Sequence, residues 1–179
     1  MKLLTNTIAL VCLLAIWSPA TYAQRANTNP ASSENIPPSN ADLILNAIDD
    51  SAVAQFKNAW RSVGSGADDI EATVLLYGKL DGSLEARLAP MTYQFQRFEF
   101  GWNAAIFGVV HTHPNCLDFR PSAEDLRVAN RFHVPVFTIT SRGMYVYDPE
   151  KNKISRVQRG LDWLDRSKWH LNSVLSMKR

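Results

Sequence analysis

Cysteine is almost missing from this chain. Among its 179 residues there are two, Cys12 and Cys116, and the first sits in an apolar leader that an export machinery would remove. A single remaining thiol cannot close an intramolecular disulfide, so the domain must be held by its core. Charge of one sign is also lacking. The formal net charge is +2 and the basic residues are scattered without a run, which removes the electrostatic footprint of a nucleic-acid binder; no nucleic-acid partner is expected. No apolar run is long enough to span a bilayer comfortably, and no internal repeat is visible. What is there is 46% hydrophobic and 20% charged, the balance of one globular domain with its own core.

The leader is "MKLLTNTIALVCLLAIWSPATYAQ". Lys2 precedes an apolar stretch from Ile8 to Trp17, and Thr21 and Ala23 are small residues where a signal peptidase reads. Residues 1–23 are therefore expected to be a secretory signal peptide cut after Ala23, and the mature protein secreted or periplasmic, with no stable membrane insertion. A retained anchor is the alternative. Cys12 lies in the middle of the apolar core after Val11, not where a lipid-modified cysteine stands. Loss of Lys2 takes the formal charge from +2 to +1. Residues 24–40, "QRANTNPASSENIPPSN", are polar and rich in Pro, Ser and Asn, which predicts a flexible linker.

Residues 41–179 carry the domain. Asn40 or Asp42 can cap a helix in which Leu43, Ile44, Ala47 and Ile48 recur at helical spacing, with Val53, Phe56 and Trp60 continuing it or forming a second helix. "ATVLLYG", "LDGS" and "LEARLA" read as a strand, an Asp-Gly turn and an alternating strand. "MTYQFQRFEFGWN" alternates as well, and is either a bulged strand or a covering loop. "AAIFGVVHTHP" is a buried strand ended by Pro114, "SAEDLRVANRF" a helix, and "VPVFTITS" and "GMYVYDP" two strands joined at Arg142-Gly143. Leu161, Leu164, Leu171 and Leu175 suggest a closing helix. The order predicts an α/β (α+β) domain, a mixed β-sheet flanked by helices.

The chemistry concentrates in "VVHTHPNCLDFRPSAED", residues 109–125. Residues two apart on a strand face the same way, so His111 and His113 project together and can bind one cation. A catalytic zinc takes three protein ligands and leaves a position for water, and Asp125 can be the third. Each piece has a plain alternative. Ser122 followed by Glu124 and Asp125 is a good helix start whatever its function, and a histidine pair at a strand end is often incidental.

Taken together these residues resemble the motif of the JAB/MPN (JAMM) metallopeptidase superfamily: an upstream glutamate, His-Ser/Thr-His-Pro, a short loop, then Ser-x-x-Asp. Here the elements are Glu71, "HTHP" at 111–114 and "SAED" at 122–125. "IEATVLLYG" resembles the family's glutamate leading into a buried strand, and "VPVFTITSRGMYVYDP" its later strand pair, so the likeness spans roughly residues 41–160. The loop "PNCLDFRP" is one residue longer than in many members. The resemblance implies a cytidine-deaminase-like fold, a Zn²⁺ held by His111, His113 and Asp125, Glu71 as general base toward a metal-activated water, and Ser122 as hydrogen-bond donor to the developing oxyanion.

Glu85 and Glu99 compete with Glu71 for the base. Glu85 lies on the alternating hairpin strand, where a carboxylate normally faces solvent, and Glu99 in an aromatic segment nearer the histidines. Cys116 has three readings: a small half-buried loop residue, an inhibitory fourth zinc ligand, or a nucleophile paired with His111 or His113, although it precedes the helix by several residues. Asp118 and Arg120 read as solvated loop residues, Arg120 also as a contact for a substrate carboxylate. His133 reads as a helix-end residue and His170 as exposed. The set Tyr93, Phe95, Phe98, Phe100 and Trp102 reads as core that can also line a groove beside the metal.

The function expected is that of an exported zinc metallopeptidase hydrolysing an amide or isopeptide bond, acting on a peptide, a protein or a peptidoglycan peptide. The alternatives are a non-catalytic binding module on the same fold, including a toxin- or immunity-type interaction protein, and a thiol hydrolase using Cys116. Oligomeric state is not legible.

Overall fold

Residues 37–95 and 98–169 are described by a computed structural model. The leader, most of the linker, Gln96, Arg97 and residues 170–179, with His170 and the end of the expected closing helix, lie outside them. No helix among the described residues is long and apolar enough to cross a membrane.

Two helices open the domain: α1, Asn40–Ala47, and α2, Asp50–Ser62. The cap of α1 is Ser39, not Asn40 or Asp42. Its hydroxyl accepts from the Asp42 N–H while the Asp42 carboxylate accepts from the Ser39 N–H, a reciprocal capping box. Ser39 also donates to Asp148 at 2.6 Å, so it and Asn40 belong to the domain and not to the linker. Asp49 caps α2 by accepting from Ala52 N–H at 2.8 Å. Ala52, Val53, Phe56, Ala59 and Trp60 then fall on one buried stripe.

Six strands form one sheet in the order β2-β1-β3-β4-β5-β6: β1 Thr73–Gly78, β2 Leu84–Leu88, β3 Ile106–Thr112, β4 Val136–Thr140, β5 Gly143–Asp148 and β6 Lys153–Arg159. The class is thus mixed α and β, as the sequence predicts. Among these strands only β3 and β4 are parallel neighbours. The helix α3, Ala123–Phe132, connects them, as a parallel pair requires.

The period-2 alternation of the strands decides what each face does. Val74, Leu76, Val110, Phe137, Ile139, Met144 and Val146 join one core with α1 and α2 residues such as Ile44 and Phe56. Leu75, Val109, Val136 and Tyr147 join Ala129 of α3 on the other. Gly108 admits α1 against β3, since a Cβ there would stand 2.6 Å from Ile44 Cδ1. His111 has the parity of Val109, so it lies on the α3 face.

Three stretches differ from expectation. Strand β6 was not foreseen; its burial is mostly that of an exposed edge, and Ile154 and Val157 differ in parity, so no alternation marks it. Residues 161–169 form short 3-10 turns, Asp162–Leu164 and Arg166–Lys168, not an α-helix. Two buried indoles fix them: Trp163 Nε1 donates to the Thr140 carbonyl at 3.0 Å and Trp169 Nε1 to the Trp163 carbonyl at 3.2 Å. The described residues of 91–103 contain no strand; Phe95 makes one isolated bridge with Ile70, as expected of the covering loop rather than the bulged strand.

Candidate metal centre

Backbone pairing assembles the site. Thr73 of β1 lies opposite His111 of β3, and the pairing continues past both strand ends: Thr112 N–H donates to the Ala72 carbonyl at 3.0 Å and Ala72 N–H to the Thr112 hydroxyl at 2.9 Å. This register brings Glu71, two residues before Thr73, onto the face shared by His111 and His113. On the other side His113 N–H donates to the Ile139 carbonyl at 3.1 Å, extending β3 along β4. The site therefore sits at the carboxyl end of the parallel pair, where α/β sheets commonly bind ligands, and where α3 begins.

Glu71, His111 and His113 each offer a ligand atom within 4.8 Å of the others and can hold a metal ion together. All three are buried, at 6%, 1% and 4% exposure. His111 Nδ1 lies 3.1 Å from Glu71 Oε2. Its Nε2 lies 3.1 Å from Asp125 Oδ1, and His113 Nε2 lies 3.5 Å from Asp125 Oδ2. One carboxylate thus flanks His111 at each ring nitrogen, and Asp125 reaches both imidazoles.

Asp125 reaches them because it is the third residue of α3. The Ser122 N–H donates to Asp125 Oδ2 at 2.6 Å and the Asp125 N–H to Ser122 Oγ at 3.2 Å. The helix start therefore fixes the carboxylate, and the helix dipole favours its charge there. Ser122 uses its oxygen as an acceptor in this cap, so its O–H remains to donate. Its side chain is exposed on the rim of an open groove of about 1220 Å³ that Glu71, His113 and Asp125 also line.

Electrostatics bind the cluster together. Burial alone would lower the His111 pKa, but the Asp125 and Glu71 carboxylates outweigh it and push it up to about 10. Asp125 responds in the opposite sense: burial would raise it, yet the imidazoles and the Ser122 N–H hold it far below the carboxylate range. The neighbouring carboxylates thus favour the protonated form of His111 while no cation is bound.

The metal fits on two observations. His111 Nε2 is fully buried and, despite its nearness to Asp125, has no aligned hydrogen-bond partner; a ligating nitrogen needs a partner of another kind. His113 Nδ1 lies 2.7 Å from the Asp118 carbonyl oxygen. Carbonyl oxygens only accept, so Nδ1 donates and the ring is held with Nε2 toward Asp125, an orienting contact common around metals.

The rival residues go elsewhere. Glu85 pairs with Arg87 at 2.6 Å on β2. Glu99 is exposed and lines the groove without belonging to the buried cluster. Cys116 is exposed and donates to Asp69 Oδ1 at 3.2 Å. That hydrogen bond to a carboxylate raises its pKa and favours the thiol over the nucleophilic thiolate. Asp118 and Arg120 pair at 2.8 Å, and the Arg120 hydrogen bonds hold Asp118 down to about 2. His133 is the left-handed cap of α3, with φ 54°.

The long loop after His113 is braced on both sides. Asn115 N–H donates to the Gly66 carbonyl at 2.8 Å, the Asn115 side chain to the Ser65 carbonyl at 3.2 Å, and Ser141 Oγ to Asn115 at 2.6 Å. Thr138 donates to the Phe119 carbonyl at 3.0 Å. Phe98, one of the aromatic set expected as core that can also line a groove beside the metal, lies with its ring centroid 4.4 Å from that of His111; the neighbour that escaped the sequence reading is Thr73, on the same face. The parity of Thr73 with Glu71 was the available signal.

No family model matches the chain, and no curated protein matches it.

Proposed function

We propose that this chain is an exported zinc metallopeptidase of the JAB/MPN type, hydrolysing an amide or isopeptide bond. The observation that carries the reading is the buried His111–His113 pair, flanked by Glu71 and Asp125, beside an open groove that Glu71, His113 and Asp125 line. Two imidazoles and a carboxylate are a donor set that suits zinc, and His111, His113 and Asp125 would hold it. When bound, zinc supplies Lewis acidity toward water and toward a carbonyl oxygen.

The side chains divide the remaining work. Glu71 receives the Nδ1–H of His111 on one oxygen, which orients that ring. Its second oxygen takes a proton from the attacking water and delivers it to the leaving nitrogen as the C–N bond breaks. Ser122, whose oxygen already accepts within the helix cap, turns its O–H to the carbonyl oxygen as negative charge gathers there. The products are a carboxylate and an amine.

The test is metal analysis of protein purified without chelator, together with cleavage of unfolded protein substrates. Stoichiometric zinc and chelator-sensitive hydrolysis are expected. Absence of zinc removes the proposal, and zinc without hydrolysis leaves a binding module. Hydrolysis lost to a thiol alkylator but not to a chelator transfers the reaction to Cys116.

A further inference from the structure

The groove does not end at the metal ligands. It runs along one side of α3, where Glu124, Val128 and Arg131 line it at helical spacing, the last two beyond Asp125, and Phe132 closes the row. The facing wall is the irregular segment after β2, which contributes Phe95, Phe98 and Phe100. Phe98 and Phe100 are stacked with centroids 6.0 Å apart, and Trp102 stacks on Phe132 at 4.2 Å, tying the wall to the helix end. Phe95 is 68% exposed. An aromatic side chain so open beside a buried polar cluster is surface offered to a ligand, not surface needed by the core.

Among the described residues, most charged side chains along this groove have partners, Glu99 included. Glu71 and Asp125 hold the imidazoles. Arg120 pairs with Asp118, and Glu124 with Arg127. Arg131 is different. It is exposed, its guanidinium lies 5.3 Å from the Phe132 ring centroid, and among the described residues no carboxylate lies within ion-pair distance of it. A guanidinium prefers a planar anion that it can grip with two N–H groups, and a carboxylate is that anion. Arg131 stands ~9 Å beyond Asp125 at 1.5 Å per helical residue, which matches two to three residues of extended peptide at about 3.3 Å each.

We infer that the groove selects a peptide carrying a bulky apolar or aromatic side chain next to the scissile amide and a carboxylate two to three residues away, with the side chain against Phe95, Phe98 and Phe100 and the carboxylate on Arg131. This rests on the metallopeptidase reading and names its substrate class. The carboxylate is that of a chain terminus or of an acidic side chain.

The experiment measures binding separately from cleavage, on the full chain loaded with zinc. The probes are acetyl-Ala-Ala-Phe-Ala with a free C-terminus, the same peptide amidated, its counterpart with Ala for Phe, and amidated acetyl-Ala-Ala-Phe-Glu. Binding of the free acid is expected to be about tenfold tighter than that of the amide. Arg131→Gln should erase that difference, and loss of the Phe ring should weaken binding about tenfold. If the acidic-side-chain peptide binds like the free acid, either carboxylate serves; if it binds like the neutral amide, the chain terminus is required. Equal binding of acid and amide, a preference that survives Arg131→Gln, or no binding of any probe overturns the inference. Cleavage of unrelated peptides alongside any of those results leaves the metallopeptidase reading standing, whereas selective binding with no hydrolysis of bound peptides removes that reading and keeps the specificity.

Discussion

His113 is locked to the backbone of Asp118: its Nδ1 donates to that carbonyl oxygen across 2.7 Å. That hydrogen bond orients the ring, so Nε2 faces Asp125 before any metal arrives. Preorganised this way, His113 is expected to bind metal through Nε2. Nitrogen-15 spectra of the imidazole should show Nδ1 protonated in both metal-free and loaded protein. His113→Ala should weaken metal binding by more than the roughly 10- to 100-fold that loss of an orienting partner costs. Retention of full metal affinity in that variant would mean that the ion sits elsewhere.

A pH dependence follows from His111. Its pKa rises from 6.5 to about 10 in the folded, metal-free protein, so folding tightens its hold on a proton. The stability this contributes is fully present below about pH 6.5 and is lost as pH rises through about 10. Metal binding requires the neutral ring, and the ion must displace that proton. Chelated protein should thus lose stability across this window, while zinc affinity increases across it. Denaturation midpoints with and without zinc, taken at several pH values, should diverge with rising pH; parallel curves would contradict the ion pair.

Glu71→Gln keeps the shape of the side chain but removes its basicity. A roughly 10²- to 10⁴-fold loss of turnover is expected, the usual share of a general base, with zinc content retained. Glu99→Gln should remain active, because Glu99 is exposed at the groove and not in the buried cluster. Kinetics and metal content on both variants decide the assignment, and the reverse pattern would transfer the base to Glu99.

The sequence made the site legible where chain order and side-chain parity were enough. His111 and His113 share a strand face and the Ser122–Asp125 spacing writes a capping box, so both pieces could be placed before any contact was known. Glu71 could be ranked but not fixed, because its position depends on the antiparallel register of β1 with β3, a pairing across forty residues. The aromatic set at 93–102 could be read as lining a groove beside the metal, and Phe95, Phe98 and Phe100 do line one, but the backbone that puts them there could not be chosen. Residues 91–103 alternate like a strand, which admits both a bulged strand and a covering loop, and their described residues show ring stacking and one isolated bridge in place of a ladder. The turns at 161–169 follow indole hydrogen bonds that no apolar periodicity encodes.

Thr73 stands opposite His111 with its hydroxyl buried and no hydrogen-bond partner among the described residues. An orphaned buried hydroxyl destabilises by about 1–3 kcal/mol, whereas an apolar group of the same shape does not. Thr73→Val should therefore leave the fold intact and raise stability by about 1 kcal/mol in metal-free protein. Chemical denaturation measures this directly, and a loss of stability would mean that the hydroxyl has a bound partner in solution.

Gly143 shows the opposite constraint. It begins β5 at φ 151°, and a Cβ there would stand 2.5 Å from the Gln158 carbonyl oxygen. That oxygen belongs to β6, which is paired along its length with β5, so neither strand can withdraw without breaking the ladder. The Thr140 hydroxyl also accepts from the Arg142 and Gly143 N–H groups, at 3.0 and 3.2 Å, and holds the turn from inside. Gly143→Ala should then cost about 1–3 kcal/mol, the range for backbone strain at such sites. The measured loss should appear as faster amide exchange in β6 before β1 or β3, since β6 is the sheet edge. An unchanged melting point would show that the turn has room this packing denies it.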